Sequence, residues 1–247
     1  MPKIFLSPST QDYNLYYDNS GSEEYYMNLI ADYMEPYLNA SGIQFTRNDP
    51  NGNVGQSVAL SNQQNYDLHL ALHSNASGEA NAGKQQGTDV YYYETSAKGK
   101  NAAEIFADNL RDIYPYPERV RALPTTSLYE LRRTKAPAIL IEIAYHDNPE
   151  DAEWIKSNLQ QIARNLSLST AEYLGVPFIE PSSLREGMVS TGGGNLNIRS
   201  NAYIDAPIIG KIPNGALVTI TGEEGDWYVV QYNGVTGYAQ RQFINVE

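Results

Sequence analysis

The 247-residue sequence predicts an α/β domain, built on a mostly parallel sheet with helices on both faces, followed by a small β-barrel. Three observations carry that reading. Up to about Gly175, short apolar runs alternate with longer helical periodicities, the pattern of strands joined by crossover helices. One run, Ala138 to Ile143, is apolar at nearly every position, as expected of a central strand covered on both faces. From about Glu186 the pattern changes to brief β-rich runs separated by Gly, Asn and Asp turns.

In order, Lys3 to Leu6 reads as the first strand. Ser22 is the expected N-cap of a helix from Glu23, with Tyr26, Leu29, Ile30, Tyr33 and Tyr37 on one face and Gly42 as its stop. Ile43 to Thr46 follows as strand, Val54 to Asn65 as helix, Asp67 to His73 and Gly87 to Tyr93 as strands, and Lys98 to Ile113 as an amphipathic helix. After the apolar strand, Pro149 opens a final helix through Tyr173. Gly175-Val176-Pro177 and Pro181-Ser182-Ser183 then break the helical period, so the expected organisation is 1–175, a linker at 176–185, and 186–247. In the last part, strands are expected at Leu196 to Arg199, Ile208 to Ile212, Leu217 to Thr221, Trp227 to Tyr232 and Val235 to Ala239, and Asn233-Gly234 is a hairpin signal.

Composition removes several classes of function. With 29 acidic against 17 basic side chains, a net charge of -12 leaves no clustered cation to grip phosphate, so nucleic acid is not an expected partner. The absence of cysteine excludes a thiol nucleophile, disulfides and thiolate zinc sites; metal chemistry has to come from His, Asp and Glu. No apolar stretch approaches the roughly 20 residues that cross a bilayer. The N-terminus enters a strand-like run without a secretion signal, so a chain cytoplasmic until release, or already trimmed, is expected. There is no Gly-x-Ser-x-Gly elbow, phosphate loop or dinucleotide fingerprint, and no spacing among the acids selects a glycosidase pair.

The C-terminal pattern carries a resemblance. Leu196-Asn197-Ile198-Arg199-Ser200, Ile209 to Gly215, Val218-Thr219-Ile220, Gly225-Asp226-Trp227-Tyr228-Val229-Val230 and Gly234 to Ala239 resemble, in order, the bacterial SH3 domain of cell-wall hydrolases. The resemblance implies peptidoglycan as partner, with Trp227, Tyr228 and Tyr238 either ligand contacts or barrel core; for Trp227 the core is favoured.

Three histidines are available: His69, His73 and His146. His73 ends a buried strand just before a polar turn, where open α/β sheets place their sites, and is the first choice as a metal ligand. His69 sits four residues earlier, roughly 13 Å away along a strand, and reads as a core histidine. Glu142 lies inside Ile-Leu-Ile-Glu-Ile, where burial raises a carboxyl pKa; a general acid-base role is favoured over a salt bridge to Arg132 or Arg133.

Asp67 to Ala76, a strand ending in His followed by Ser, Asn75 and Ala, resembles the histidine motif of zinc-dependent N-acetylmuramoyl-L-alanine amidases. Glu24 ahead of Asn28, Leu131 to Pro137 with Arg132, and Ala138 to Glu142 followed by Asn148-Pro149-Glu150 match further elements in order over nearly all of the first domain. The resemblance implies an amidase-like fold, zinc held by Glu24 and His73, Glu142 as catalytic acid-base, and Arg132 on a substrate carboxylate or the oxyanion. Zinc with an open position lowers the pKa of bound water towards ~7 and polarises a carbonyl. Asn75, Tyr16 and Tyr17 are expected to contact substrate, the tyrosines lining a groove for glycan or stem peptide.

The turn after the first strand departs from the family. It reads Ser7-Pro8-Ser9-Thr10-Gln11, with Thr10 where the family places another zinc-binding histidine. A substitute ligand, a weak or different metal site, and a chain that binds wall fragments without cutting them remain the three outcomes. His146, four residues beyond Glu142, is the most economical substitute, against a loop histidine bonded to Asp147 or the backbone; Gln11, Asp12 and Tyr13 lie close by. The leading expectation is a zinc amidase of phage-endolysin type, or a hydrolase released by lysis, cutting between N-acetylmuramic acid and L-alanine. An impaired wall-binding protein and a stem-peptide metallopeptidase are the alternatives.

Overall fold

The computed structural model describes residues 1–181 and 185–246; positions 182–184 of the expected linker lie outside the described residues. The chain divides into two compact units. One comprises Lys3–Met34 and Phe45–Gly175, the other Met1–Pro2, Glu35–Gln44 and Val176–Glu247.

The first unit is built from β1 (Lys3–Pro8), the first part of α1 (Glu23–Ala40) as far as Met34, β2 (Gln44–Arg47) from Phe45, α2 (Val54–Ser61), β3 (Leu68–Asn75), β4 (Thr88–Tyr93), α3 (Ala97–Arg111), β5 (Val120–Thr125), α4 (Tyr129–Arg133), β6 (Ala138–Tyr145), α5 (Pro149–Ser157) and α6 (Leu159–Leu174). The sheet order is β2-β1-β3-β6-β4-β5. It is mixed: β1, β3 and β6 run parallel, β4 and β5 run parallel, and β4 meets β6 antiparallel. The apolar run expected as a central strand is β6, with Ile139, Ile141 and Ile143 fully buried on one face. On the other face Ala138 and Leu140 pack with Ala71 of β3 under Leu131 of α4.

Three expectations change in this unit. Met27, Ile30, Ala31, Met34 and Leu38 are the fully buried stripe of α1, while Tyr33 is exposed, so the helix is rotated from the tyrosine face read in sequence. The single helix expected from Pro149 is two, broken at Asn158, whose φ of -126° and ψ of 21° are not helical. β5 and α4 lie in a stretch read without regular structure. Gly175 closes α6 in the left-handed region at φ 67°, where a Cβ is disfavoured.

The second unit carries β7 (Arg185–Val189), β8 (Leu196–Arg199), β9 (Ile208–Ile212), β10 (Leu217–Glu224), β11 (Trp227–Tyr232), β12 (Val235–Gln240) and β13 (Ile244–Val246), in the order β13-β7-β10-β11-β12-β8-β9. All its strand pairs in the described registers are antiparallel. The five strands expected here are present, and β7 and β13 are added. Asn233 and Gly234 both take positive φ, 47° and 77°, the turn that a two-residue hairpin requires. Tyr228 packs in the barrel core with Val218, Ile220 and Val230; Trp227 and Tyr238 are buried in a second cluster with Val229, Ile179 and Ala40. Among the described residues no helix is long and apolar enough to cross a membrane.

Candidate active site

Sheet register brings the ionisable residues to one face. His73 of β3 lies opposite Glu142 of β6, and Glu142 opposite Asp89 of β4, so all three project to the side that α4 covers. A groove of about 500 Å³ opens there, lined by Ser9, Thr10, Tyr13, His73, Glu130 and Glu142 among others.

His73 sits between two buried carboxylates. Its Nδ1 is 2.8 Å from Glu23 Oε1, and its Nε2 is 3.2 Å from Glu130 Oε2. Glu130 Oε1 in turn accepts from Ser7 Oγ at 2.7 Å and from His69 Nε2 at 3.1 Å, and His69 Nδ1 meets Ser61 Oγ at 2.9 Å. Glu23 also accepts from Asn14 Nδ2 at 2.8 Å, from Gln11 Nε2 at 3.3 Å and from the Ser9 hydroxyl. Burial works against a charged imidazole, but the flanking Glu130 and Glu23 outweigh it and hold the His73 pKa well above the ordinary histidine range. Burial likewise opposes ionisation of Glu130 and Glu23, and their histidine partners overcome it, keeping both below the usual carboxylate range.

Glu142 behaves oppositely. Its Oε2 is buried without a hydrogen-bond partner among the described residues. Burial, which His73 offsets in part and Glu23 and Asp89 reinforce, lifts its pKa to about 7. A carboxyl poised there, at the wall of an open groove, can take a proton from water and return it to a leaving group near neutral pH.

The other expected site residues fall differently. Glu24 Oε1 accepts from Asn28 Nδ2 at 3.2 Å; Glu23, one position earlier, lies on the buried stripe with Met27, Ile30 and Met34 and makes the histidine contact. His146 does not join His73. Between His73/Glu142 and Asn75/Tyr145 the register shifts, because β6 spends three steps where β3 spends two. That bulge puts Tyr145 on the Glu142 face and turns His146 to the other, where it bonds Ser74 O at 2.9 Å and stacks on Tyr16. Tyr16 is buried against His146 and Tyr26 and is not a groove residue. Tyr17 is exposed, donating to Glu153 at 3.1 Å beside Lys156. Asn75 Oδ1 accepts from the Ala76 amide at 2.8 Å, outside the groove lining. Arg132 is exposed at the end of α4 and also lies outside that lining.

Glu130, Ser7 and Glu23 were not found from sequence. Glu23 carried a legible signal, its 4-3-4 spacing to Met27, Ile30 and Met34. Glu130 carried none, since α4 is five residues long and its buried side is set by the sheet above it.

The donors present do not fit a zinc centre with three protein ligands. Among the described residues no group of three or more His, Asp or Glu side chains is arranged to hold a metal ion. Glu23 and Glu130 lie on opposite ring nitrogens of His73, so one ion cannot take both with the imidazole, and Thr10 offers only a hydroxyl.

Fold and groove together define an α/β domain with a mixed six-stranded sheet and a carboxylate-lined groove, followed along the chain by a small antiparallel β unit. Residues 9–170 match the N-acetylmuramoyl-L-alanine amidase family, and the chain belongs to it. Residues 194–245 match the bacterial SH3 domain. The chain is 29% identical over 159 residues to the N-acetylmuramoyl-L-alanine amidase LytC of Bacillus subtilis, covering 62% of this chain and 31% of that protein. It is 26% identical over 172 residues to the amidase CwlM of Bacillus licheniformis, covering 66% of this chain and 65% of that one. It thus spans less than two thirds of either relative. Among solved structures, the catalytic domain of the amidase CwlV from Bacillus (Paenibacillus) polymyxa superposes with a TM-score of 0.59 at 18% identity, covering 72% of this chain and all of that one. The CwlD amidase of Clostridioides difficile, solved with the GerS lipoprotein, gives 0.61 at 17%, covering 71% of this chain and 99% of that one.

Proposed function

We propose that this chain acts on bacterial peptidoglycan at the amide joining the lactyl group of N-acetylmuramic acid to the L-alanine of the stem peptide. Family membership supports the bond; the observation that carries the chemistry is Glu142, half-buried on the groove wall with its Oε2 buried and without a hydrogen-bond partner among the described residues, a setting that pushes its pKa up to about 7. In this reading the amide lies along the groove and Glu142 accepts a proton from the attacking water. It then delivers that proton to the alanine nitrogen as the carbon–nitrogen bond breaks. The SH3 unit holds the chain on the wall, so it acts at the cell wall whether it arrives as an endolysin or by another route. Zinc belongs to the expectation raised by the family resemblance, and no step is assigned to it here because the donors do not fit. Arg132, Asn75, Tyr16 and Tyr17 lie outside the lining of this groove.

A second reading has its own observation. Two carboxylates already occupy the ring nitrogens of His73, and Thr10 supplies no imidazole, which favours a groove that retains wall peptide without turning it over. Digestion of purified wall, followed by mass spectrometry, separates the readings. Free lactyl-terminated glycan with new L-alanine amino termini supports hydrolysis; cuts within the stem peptide support a peptidase instead. Wall pelleting with no new termini supports retention alone.

A further inference from the structure

We infer that this chain has replaced its family's zinc-binding arrangement with a metal-free relay of side chains, Ser61–His69–Glu130–His73–Glu23, which Glu130 closes. The inference goes beyond the proposed function, because it states what holds His73 whether or not the amide is cut.

Three features of the geometry support it. An imidazole nitrogen binds a cation through a lone pair, and both ring nitrogens of His73 already lie within hydrogen-bond distance of a carboxylate oxygen, Glu23 at 2.8 Å and Glu130 at 3.2 Å, which leaves neither side of the ring open to a cation. Two donors sharing a tetrahedral zinc at about 2.0–2.1 Å stand about 3.4 Å apart. The 2.8 Å between His73 Nδ1 and Glu23 Oε1 is instead a direct hydrogen-bond distance, too short for two ligands of one zinc. Second, Glu23 is ringed by donors. The Asn14 and Gln11 amides and the Ser9 hydroxyl all donate to it, so its charge is met by hydrogen bonds beside His73 without a metal ion. Third, the remaining histidines are committed elsewhere, His69 to Ser61 and Glu130, and His146 to Ser74 on the far side of the sheet.

Glu130 is the residue that gives the relay its cohesion. A buried carboxylate is tolerated only with its oxygens satisfied, and Glu130 has Ser7 and His69 on one oxygen and His73 on the other. The rival view makes Glu130 the orienting carboxylate behind a zinc-bound His73, a common arrangement in metal sites. The two views part on measurement.

The full chain, purified without chelator and dialysed, is analysed for zinc and then titrated with zinc chloride by calorimetry at neutral pH. In parallel, 15N-histidine NMR reads the His73 ring nitrogens before and after zinc. The expected result is substoichiometric zinc, no tight binding isotherm, and two protonated His73 nitrogens whose resonances zinc leaves in place. One equivalent of zinc that is lost in His73→Ala and Glu23→Gln, and bound about 10–100-fold more weakly in Glu130→Gln, overturns the inference. Zinc that persists in all three variants sits elsewhere and leaves the inference standing. The NMR measurement on the unaltered chain stands even if a variant misfolds. Wall digestion abolished by chelator refutes the relay and keeps the proposed function; digestion that resists chelator keeps both; wall binding without digestion keeps the relay alone.

Discussion

At the scale of single residues, the site is governed by what burial does to Glu142. An acid whose pKa rises from 4.5 in the unfolded chain to about 7 in the fold is stable while neutral. Its contribution is fully present below pH 4.5 and is lost as pH rises through 7, a swing of about 3 kcal/mol from 1.36 kcal/mol per unit. Glu142→Gln removes that dependence. Urea denaturation is expected to find the variant near parent stability at pH 5 and more stable by about 2–3 kcal/mol at pH 8. If the proposed hydrolysis operates, the same variant loses about 100-fold or more of wall digestion. Equal stability difference at both pH values would show that Glu142 is solvated in the folded chain. Glu142 was legible because a lone acid in an apolar run advertises its environment. His73 was legible as the polar end of a strand. Glu24 is the residue the family resemblance picks out through Asn28, whereas the buried spacing of Met27, Ile30 and Met34 marks its neighbour Glu23 as the inward-facing one. His146 was misplaced because a one-residue bulge reverses the face of everything after it, and no sequence period encodes a bulge.

At the scale of elements, the groove depends on how the β6 end is tied down. Asn148 caps α5, accepting from the Glu150 and Asp151 amides at 3.0 and 3.2 Å, with Pro149 in the first turn. Asp151 then points back under the bulge, where Oδ2 accepts from the Tyr145 amide at 3.0 Å and the Gly87 amide at 3.1 Å, and Oδ1 from Tyr114 Oη at 2.6 Å. Asp151→Ala strands three donors and is expected to cost about 3 kcal/mol, the scale of leaving buried partners unsatisfied. Hydrogen exchange should place the loss at the Tyr145 and Gly87 amides; protection there unchanged from the parent would refute this account. Asn148→Ala removes the cap together with the bond from Nδ2 to Gly83 O at 2.8 Å, and should cost about 1–2 kcal/mol. Most strands and the long helices could be read from periodicity, including the hairpin at Asn233-Gly234. β5 and α4 could not, because one is a half-buried edge strand and the other a single short turn fixed by tertiary contact.

At the scale of the whole molecule, a contiguous boundary after Gly175 is the natural reading of the sequence, yet residues 35–44, the end of α1 and the turn after it, group with the C-terminal unit. Within that unit Ala40 is fully buried among Ile179, Trp227, Val229 and Tyr238, and the Ile179 amide donates to Ser41 Oγ at 2.9 Å. Sequence order hides this, since a cluster assembled from positions 40, 179 and 227 to 238 leaves no local period. The consequence can be measured, because the two tryptophans fall in different units, Trp154 on α5 and Trp227 on β11. A fragment ending at Gly175 uncovers Ala40 and strips the last turn of α1 of its packing. It should retain a cooperative transition reported by Trp154, with an unfolding free energy below that of the full chain by about 1–2 kcal/mol, the scale of one or two uncovered apolar side chains. Amide exchange at residues 38–43 should rise towards that of a frayed helix end. A fragment as stable and as protected there as the full chain would mean that the α1 terminus holds without the barrel, and that cutting at Gly175 separates the units cleanly.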